Sequence, residues 1–104
     1  MKFYILKLDG SIVSTEDVLE WGAWFENGEA RVIGNDHPTP EIHVSTIFTG
    51  LDLGILEGPL LFETMIFGGE LDRYRERYAT YEEAREGHST ALLKVLETLR
   101  TRRK

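Results

Sequence analysis

The sequence predicts a single α+β domain, with a mainly antiparallel sheet of four or five strands and two helices packed on one face. Three observations lead to this prediction. Short β-prone runs are bounded by turn residues, a capping box at Thr80 and Glu83 opens a long amphipathic segment, and 104 residues suffice for one core but not two. The basic end, residues 100–104, is expected to fray.

The N-terminal part predicts two strands followed by a helix. Residues 3–8 are rich in aromatic and aliphatic side chains and end at an aspartate-glycine turn pair, after which residues 12–13 continue as a short return strand. The hydroxyl residues Ser14 and Thr15 precede two carboxylates, a pattern that predicts a helix over residues 16–26.

The middle of the chain predicts further strands separated by turns. Residues 29–33 and 41–49 form two predicted strands, and residues 34–40, which contain two prolines, form the predicted loop between them. Residues 60–67 and 73–78 are β-prone and flank a glycine pair, which predicts a hairpin.

The last helix is predicted from Thr80 to about Arg100. Its polar residue His88 falls near the middle of an apolar stripe, and Gly87 beside it predicts the close approach of another backbone. The stripe consists of Ala84, Ala91, Leu92, Val95, Leu96 and Leu99.

The composition excludes several classes of function. The formal net charge is −6, and residues 1–70 carry 3 basic and 12 acidic side chains, whereas residues 71–104 carry 9 basic and 6 acidic. An acidic body repels phosphate backbones, so general nucleic-acid binding is not expected. No run is long and apolar enough for a signal or membrane segment, and the chain has no cysteine, which fits a cytoplasmic protein.

A buried polar centre is predicted from Glu63, His88 and Asp52. Strand alternation puts Glu63 in an apolar row with Leu61 and Met65, so its carboxylate would be desolvated. One interpretation is a general acid or base that works with His88. The favoured interpretation is a structural hydrogen bond or ion pair between sheet and helix, because buried polar groups need partners.

A row of arginines is the second candidate site. Arg73, Arg75 and Arg77 alternate along one predicted strand, with Tyr74 among the residues between them, so three guanidinium groups could grip phosphates or carboxylates. Trp24 is a candidate stacking or interface residue. The alternative for the arginines is a solvated edge strand that charge protects from aggregation.

Neither a metal site nor a cofactor is predicted. The three histidines are too scattered for a trusted ligand spacing, and no nucleophile elbow or phosphate loop is present. A homo-oligomer is plausible because two helices can cover only one face of the sheet.

Three segments carry a resemblance to a known family. They are residues 45–52 (STIFTGLD), 58–69 (GPLLFETMIFGG) and 77–88 (RYATYEEAREGH), which together resemble a family of small uncharacterised proteins of phages and prophages. The resemblance implies a phage-encoded protein that works in the cytoplasm of a bacterial host, and it implies no particular chemistry.

The sequence therefore favours a non-catalytic phage-accessory protein that binds a host protein, such as a defence or metabolic factor. Two alternatives remain open at this point. One is a binder of a small, nucleotide-like anion at the arginine row, and the other is a small hydrolase that uses Glu63 and His88.

Overall fold

The computed structural model describes residues 3–26, 28–51 and 59–102. The elements in chain order are β1 Phe3–Leu6, β2 Ile12–Thr15, α1 Val18–Phe25, a 3-10 helix Gly28–Arg31, β3 Val32–Thr39, β4 Ile42–Phe48, β5 Phe62–Phe67, β6 Arg75–Tyr78 and α2 Tyr81–Arg102. Within the described residues the strands form two antiparallel sheets, β1-β2 and β3-β4-β5-β6, which confirms the predicted α+β class and its four-stranded sheet.

Helix α2 begins at the predicted capping box. The Thr80 hydroxyl accepts a hydrogen bond from the backbone N–H of Glu83 at 3.1 Å, and Glu83 Oε1 accepts one from the N–H of Thr80 at 3.1 Å. The two side chains thus satisfy backbone groups that a helix start leaves without partners.

Helix α1 is capped by Asp17 and not by the predicted hydroxyl residues. Asp17 Oδ1 accepts hydrogen bonds from the backbone N–H groups of Leu19 at 3.0 Å and Glu20 at 3.3 Å. Thr15 is still part of β2, where it pairs with Phe3, so the helix starts later than the sequence predicts.

Strand β3 runs through residues predicted to form a loop. It pairs antiparallel with β4, and the pairing shifts register between Val32 and Gly34 and again between Asp36 and Thr39. Pro38 lies in the second irregular stretch of this edge strand, where the missing N–H costs no ladder bond. Pro38 therefore interrupts the regularity of β3 without ending it, and the strand ends at Thr39, directly before Pro40.

One face of the four-stranded sheet carries the core. Along β4, buried residues alternate with half-buried ones, and α2 lies against the buried side of all four strands. The β1-β2 hairpin and α1 cover the end of the same face through Leu6 and Trp24, whose ring meets Phe48 edge-on at a centroid distance of 5.4 Å. Both helices therefore lie on one face, as predicted.

Candidate functional site

A chain of hydrogen bonds, here called the polar row, crosses the interface between α2 and the sheet. His88 Nδ1 lies 2.7 Å from the hydroxyl of Thr46, which lies 2.5 Å from the hydroxyl of Thr64. The Tyr78 hydroxyl donates to Thr64 at 3.2 Å, and His88 Nε2 lies 2.7 Å from Asp36 Oδ2 at the other end. Thr46 and Thr64 are fully buried and His88 is nearly so.

The polar row separates two apolar clusters. One cluster, at the end covered by α1 and the β1-β2 hairpin, consists of Leu6, Phe48, Leu61, Phe62 and Ala84. The other, toward the β5-β6 turn, consists of Ile42, Val44, Ile66, Ala91 and Val95. Strands β4 and β5 and helix α2 therefore each place one polar residue between apolar ones, and these residues meet at the same level of the core.

Two glycines make room for the rings of the polar row. A Cβ atom added to Gly34 would lie 2.6 Å from the His88 ring, and one added to Gly87 would lie 2.1 Å from the Tyr78 hydroxyl. The close approach predicted at Gly87 therefore exists, but a tyrosine side chain makes it and not a backbone.

Every hydrogen bond of the polar row has one donor and one acceptor when the His88 ring carries a single proton, on Nε2. In that tautomer Nε2–H donates to Asp36, Thr46 donates to Nδ1, Thr64 donates to Thr46 and Tyr78 donates to Thr64. Burial raises the pKa of the Tyr78 phenol above its ordinary value of 10.0, so this end of the row stays protonated.

The geometry does not suit nucleophilic catalysis. Asp36, His88 and Thr46 have the residue types of a catalytic triad, but the accessible end is the carboxylate, which is 51% exposed, while the hydroxyl is fully buried. A substrate cannot reach Thr46, so the row acts as a structural link between helix and sheet.

Glu63 does not join His88, which corrects the predicted polar centre. Arg77 Nε donates to Glu63 Oε2 at 2.9 Å, and Arg75 Nε lies 3.6 Å from the same oxygen. Strand alternation turns Thr64 toward α2 and Glu63 to the opposite face. Asp52, the third predicted member, lies outside the described residues.

The arginine row is shorter than predicted. Arg75 and Arg77 share one face with Glu63, but Arg73 lies in the preceding turn with a φ of 74° and donates its backbone N–H to Ile66 at 2.8 Å. Tyr74 lies on the other face, packed against the second apolar cluster, where burial raises its pKa.

The face of the sheet that points away from α2 is here called the open face. Among the described residues no helix or strand packs on it, and its side chains are half-buried or exposed. Three cross-strand rows can be followed on it. The first row consists of His37, His43 and Phe67. The second consists of Asn35, Ser45, Met65 and Arg75, and the third of Ile47, Glu63 and Arg77.

Aromatic rings form one end of the open face. His37 stacks on His43 at a centroid distance of 4.4 Å, and His43 stacks on Phe67 at 5.7 Å. Asn35 Oδ1 is hydrogen-bonded to His43 Nε2. Burial, and secondarily the neighbouring His37, lower the pKa of His43 below its ordinary value of 6.5.

Trp24 lies on the helix side of the sheet, away from the arginines. It lines a cleft of about 820 Å³ together with Leu6, Ile33 and Tyr81. The structure therefore does not bring Trp24 and the arginine row together.

Within the described ranges, no group of three or more histidine and carboxylate side chains could hold a metal ion, and no helix is long and apolar enough to cross a membrane. Comparisons of the chain with protein-family models, curated proteins and solved structures gave no match.

Of the polar row, sequence reasoning identified only His88 and missed the other four members, Asp36, Thr46, Thr64 and Tyr78. Thr46 interrupts an apolar period-two pattern between Val44 and Phe48 in β4, and Thr64 interrupts one in β5. These interruptions are visible in the sequence and could have indicated polar residues inside the core. Asp36 lacked a comparable signal because the nearby prolines favoured a loop.

Proposed function

We propose that this chain is a non-catalytic binding protein of the phage-accessory type, and that it engages a host protein in the bacterial cytoplasm through its open face. The observation that carries the proposal is a whole sheet face without cover among the described residues. Large uncovered faces with apolar and aromatic side chains are typical of interaction surfaces.

The residue types on the open face support a protein partner. Phe67 is 44% exposed, and Met65, two residues before it in β5, is half-buried. Ile47 is also half-buried and lies one cross-strand row further on, opposite Glu63, so apolar side chains are present in all three rows. Arg75 and Arg77 lie beside these apolar side chains, and arginine is a residue type that is enriched in protein interfaces.

The two alternatives find less support. A hydrolase based on Glu63 and His88 would need both groups at one substrate, but they lie on opposite faces of the sheet. A nucleotide-like ligand would need an aromatic ring near the arginines, but Tyr74 and Trp24 both pack on the helix side.

The test is affinity capture from bacterial cells with a matched pair of variants. Ile47→Ser with Phe67→Ser removes apolar area from the open face, and Leu93→Ser with Leu96→Ser removes similar area from exposed positions of α2. After cross-linking, captured proteins are quantified by mass spectrometry for the unmodified chain and both variants.

A specific partner should be captured by the unmodified chain and by the α2 variant, and its amount should fall at least about tenfold with the open-face variant. Thermal unfolding verifies that both variants fold. Equal capture by all three chains, or no specific partner for any of them, would refute the proposal.

A further inference from the structure

Strand β6 forms an edge of the four-stranded sheet, and no strand of the described residues lies beyond it. The N–H groups of Ile66 and Leu61 donate to the carbonyls of Tyr74 at 3.1 Å and Tyr78 at 3.0 Å, so the carbonyl groups of these two tyrosines point toward β5. Because antiparallel pairs alternate, the backbone N–H and C=O groups of Arg75 and Arg77 point outward.

The same two residues give the open-face side of this edge a positive charge, while Glu76 between them carries its carboxylate on the helix side. The two arginine side chains are 52% and 36% exposed, and both approach the single carboxylate of Glu63. Two guanidinium groups against one carboxylate leave one positive charge unneutralised on this part of the open face. The edge therefore offers main-chain hydrogen bonds and a local attraction for anions, although the chain as a whole carries −6.

We propose that β6 is the docking edge for an acidic, extended segment of the partner protein, which adds to the sheet as a further strand. The inference rests on the proposed function and adds the chemistry of the partner. The backbone groups of Arg75 and Arg77 pair with the incoming strand, and carboxylates at its alternate positions meet the two guanidinium groups.

A second copy of this chain suits the edge poorly. If two β6 strands paired antiparallel about Glu76, Arg75 of each copy would lie opposite Arg77 of the other. Like charges directly opposite each other destabilise a strand pair. Charge complementarity therefore selects an acidic partner strand.

The other sheet edge is closed to strand addition. Strand β3 contains Pro38 and two shifts of register, features that interrupt a row of hydrogen-bonding groups. By contrast, β6 keeps regular pairing with β5 over its four residues. The receptive edge is thus the one that carries the arginines.

The first test uses short, capped synthetic peptides and the full chain. One peptide alternates glutamate and valine, a second alternates lysine and valine, and a third is the glutamate peptide with alternate amides N-methylated. Dissociation constants are measured by titration, and backbone amide signals are followed by NMR.

The glutamate peptide should bind at least about tenfold more tightly than the lysine peptide, with the largest shifts at the amides of Arg75 and Arg77. N-methylation should remove binding, because it blocks the main-chain bonds. Equal affinities for the two charged peptides, shifts centred on β3, or no binding of the glutamate peptide would each overturn the inference.

A matched pair of variants separates backbone from charge. Arg75→Thr removes the guanidinium group and keeps the outward N–H, so it should weaken glutamate-peptide binding severalfold. Arg75→Pro removes the guanidinium group and the outward N–H, so it should abolish glutamate-peptide binding. Because this N–H makes no bond to β5, its loss leaves the pairing of β5 with β6 intact. Equal binding by the two variants would contradict strand addition, and if Arg75→Pro does not fold, the N-methylated peptide decides.

The capture experiment then distinguishes this inference from the proposed function. Loss of the partner with both Arg75→Pro and the open-face variant supports both. Retention with Arg75→Pro but loss with the open-face variant overturns the edge and leaves the proposed function standing. Capture of the partner by both variants refutes the proposed function.

A further outcome concerns the oligomeric state. If the chain forms a homodimer that Arg75→Pro dissociates, the strand that docks on β6 is a second copy and not an acidic segment, and the inference is overturned.

Discussion

The imidazole of His88 packs directly against the backbone of Gly34, so that a Cβ atom at Gly34 would lie 2.6 Å from Cδ2 of the ring. At this point the His88 ring alone separates helix α2 from the backbone of the edge strand β3. The hydrogen bond from His88 to Asp36, two residues along β3, fixes this contact.

Gly34→Ala should lower the free energy of unfolding by about 1–3 kcal/mol, because either the ring or the strand must move. Denaturant unfolding measures the change. Gly22→Ala is the control, since an added Cβ there meets nothing within 4 Å, and it should stabilise α1 by about 0.5–1 kcal/mol. In a His88→Ala background the cost of Gly34→Ala should shrink, and an unchanged cost would contradict the contact.

Thr46→Val should lower the free energy of unfolding by about 1–3 kcal/mol, because it leaves His88 Nδ1 and the Thr64 hydroxyl without their shared partner. Adding Thr64→Val should cost less in that background than alone, since the orphaned hydroxyl is then gone. Strict additivity in the double-mutant cycle would show that the two hydroxyls are not coupled.

The sequence predicted the elements whose signals are local. The capping box of α2, the β5-β6 hairpin and the Asp-Gly turn depend on a few neighbouring residues, and all three are present. The course of β3 depends on pairing with β4, which outweighs the local effect of Pro38. The partner of Glu63 could not be predicted because it required knowing which face of β5 meets α2.

Tyr78→Phe should lower the free energy of unfolding by about 1 kcal/mol at neutral pH, through loss of the hydrogen bond to Thr64. It should also reduce the alkaline loss of stability. The folded state raises the phenol pKa above 10.0, so it keeps a proton that the unfolded chain releases, and stability declines as pH rises beyond that value. The slope of unfolding free energy against pH above about 10 would be as steep in the variant if Tyr78 were not responsible.

His43 should make stability depend on pH in the opposite direction. Its folded-state pKa is below 6.5, so the unfolded chain takes up a proton first as pH falls, and the stabilisation that is present above 6.5 is lost below it. His43→Gln should flatten the unfolding free energy between about pH 6.5 and 5. NMR titration of the ring checks the pKa directly, and His37→Gln should raise it by removing the neighbouring imidazole. A ring that titrates at or above 6.5 in the unmodified chain would be inconsistent with its burial.

The polar row divides the interior into two compartments that do not share side chains. Repacking one compartment, for example at Leu61, leaves the neighbours of Val95 in the other compartment untouched, so the energetic effects of changes at the two sites should sum with little coupling. The chain can therefore accumulate substitutions in either half of its core independently, as long as the dividing hydroxyls and imidazole stay in place.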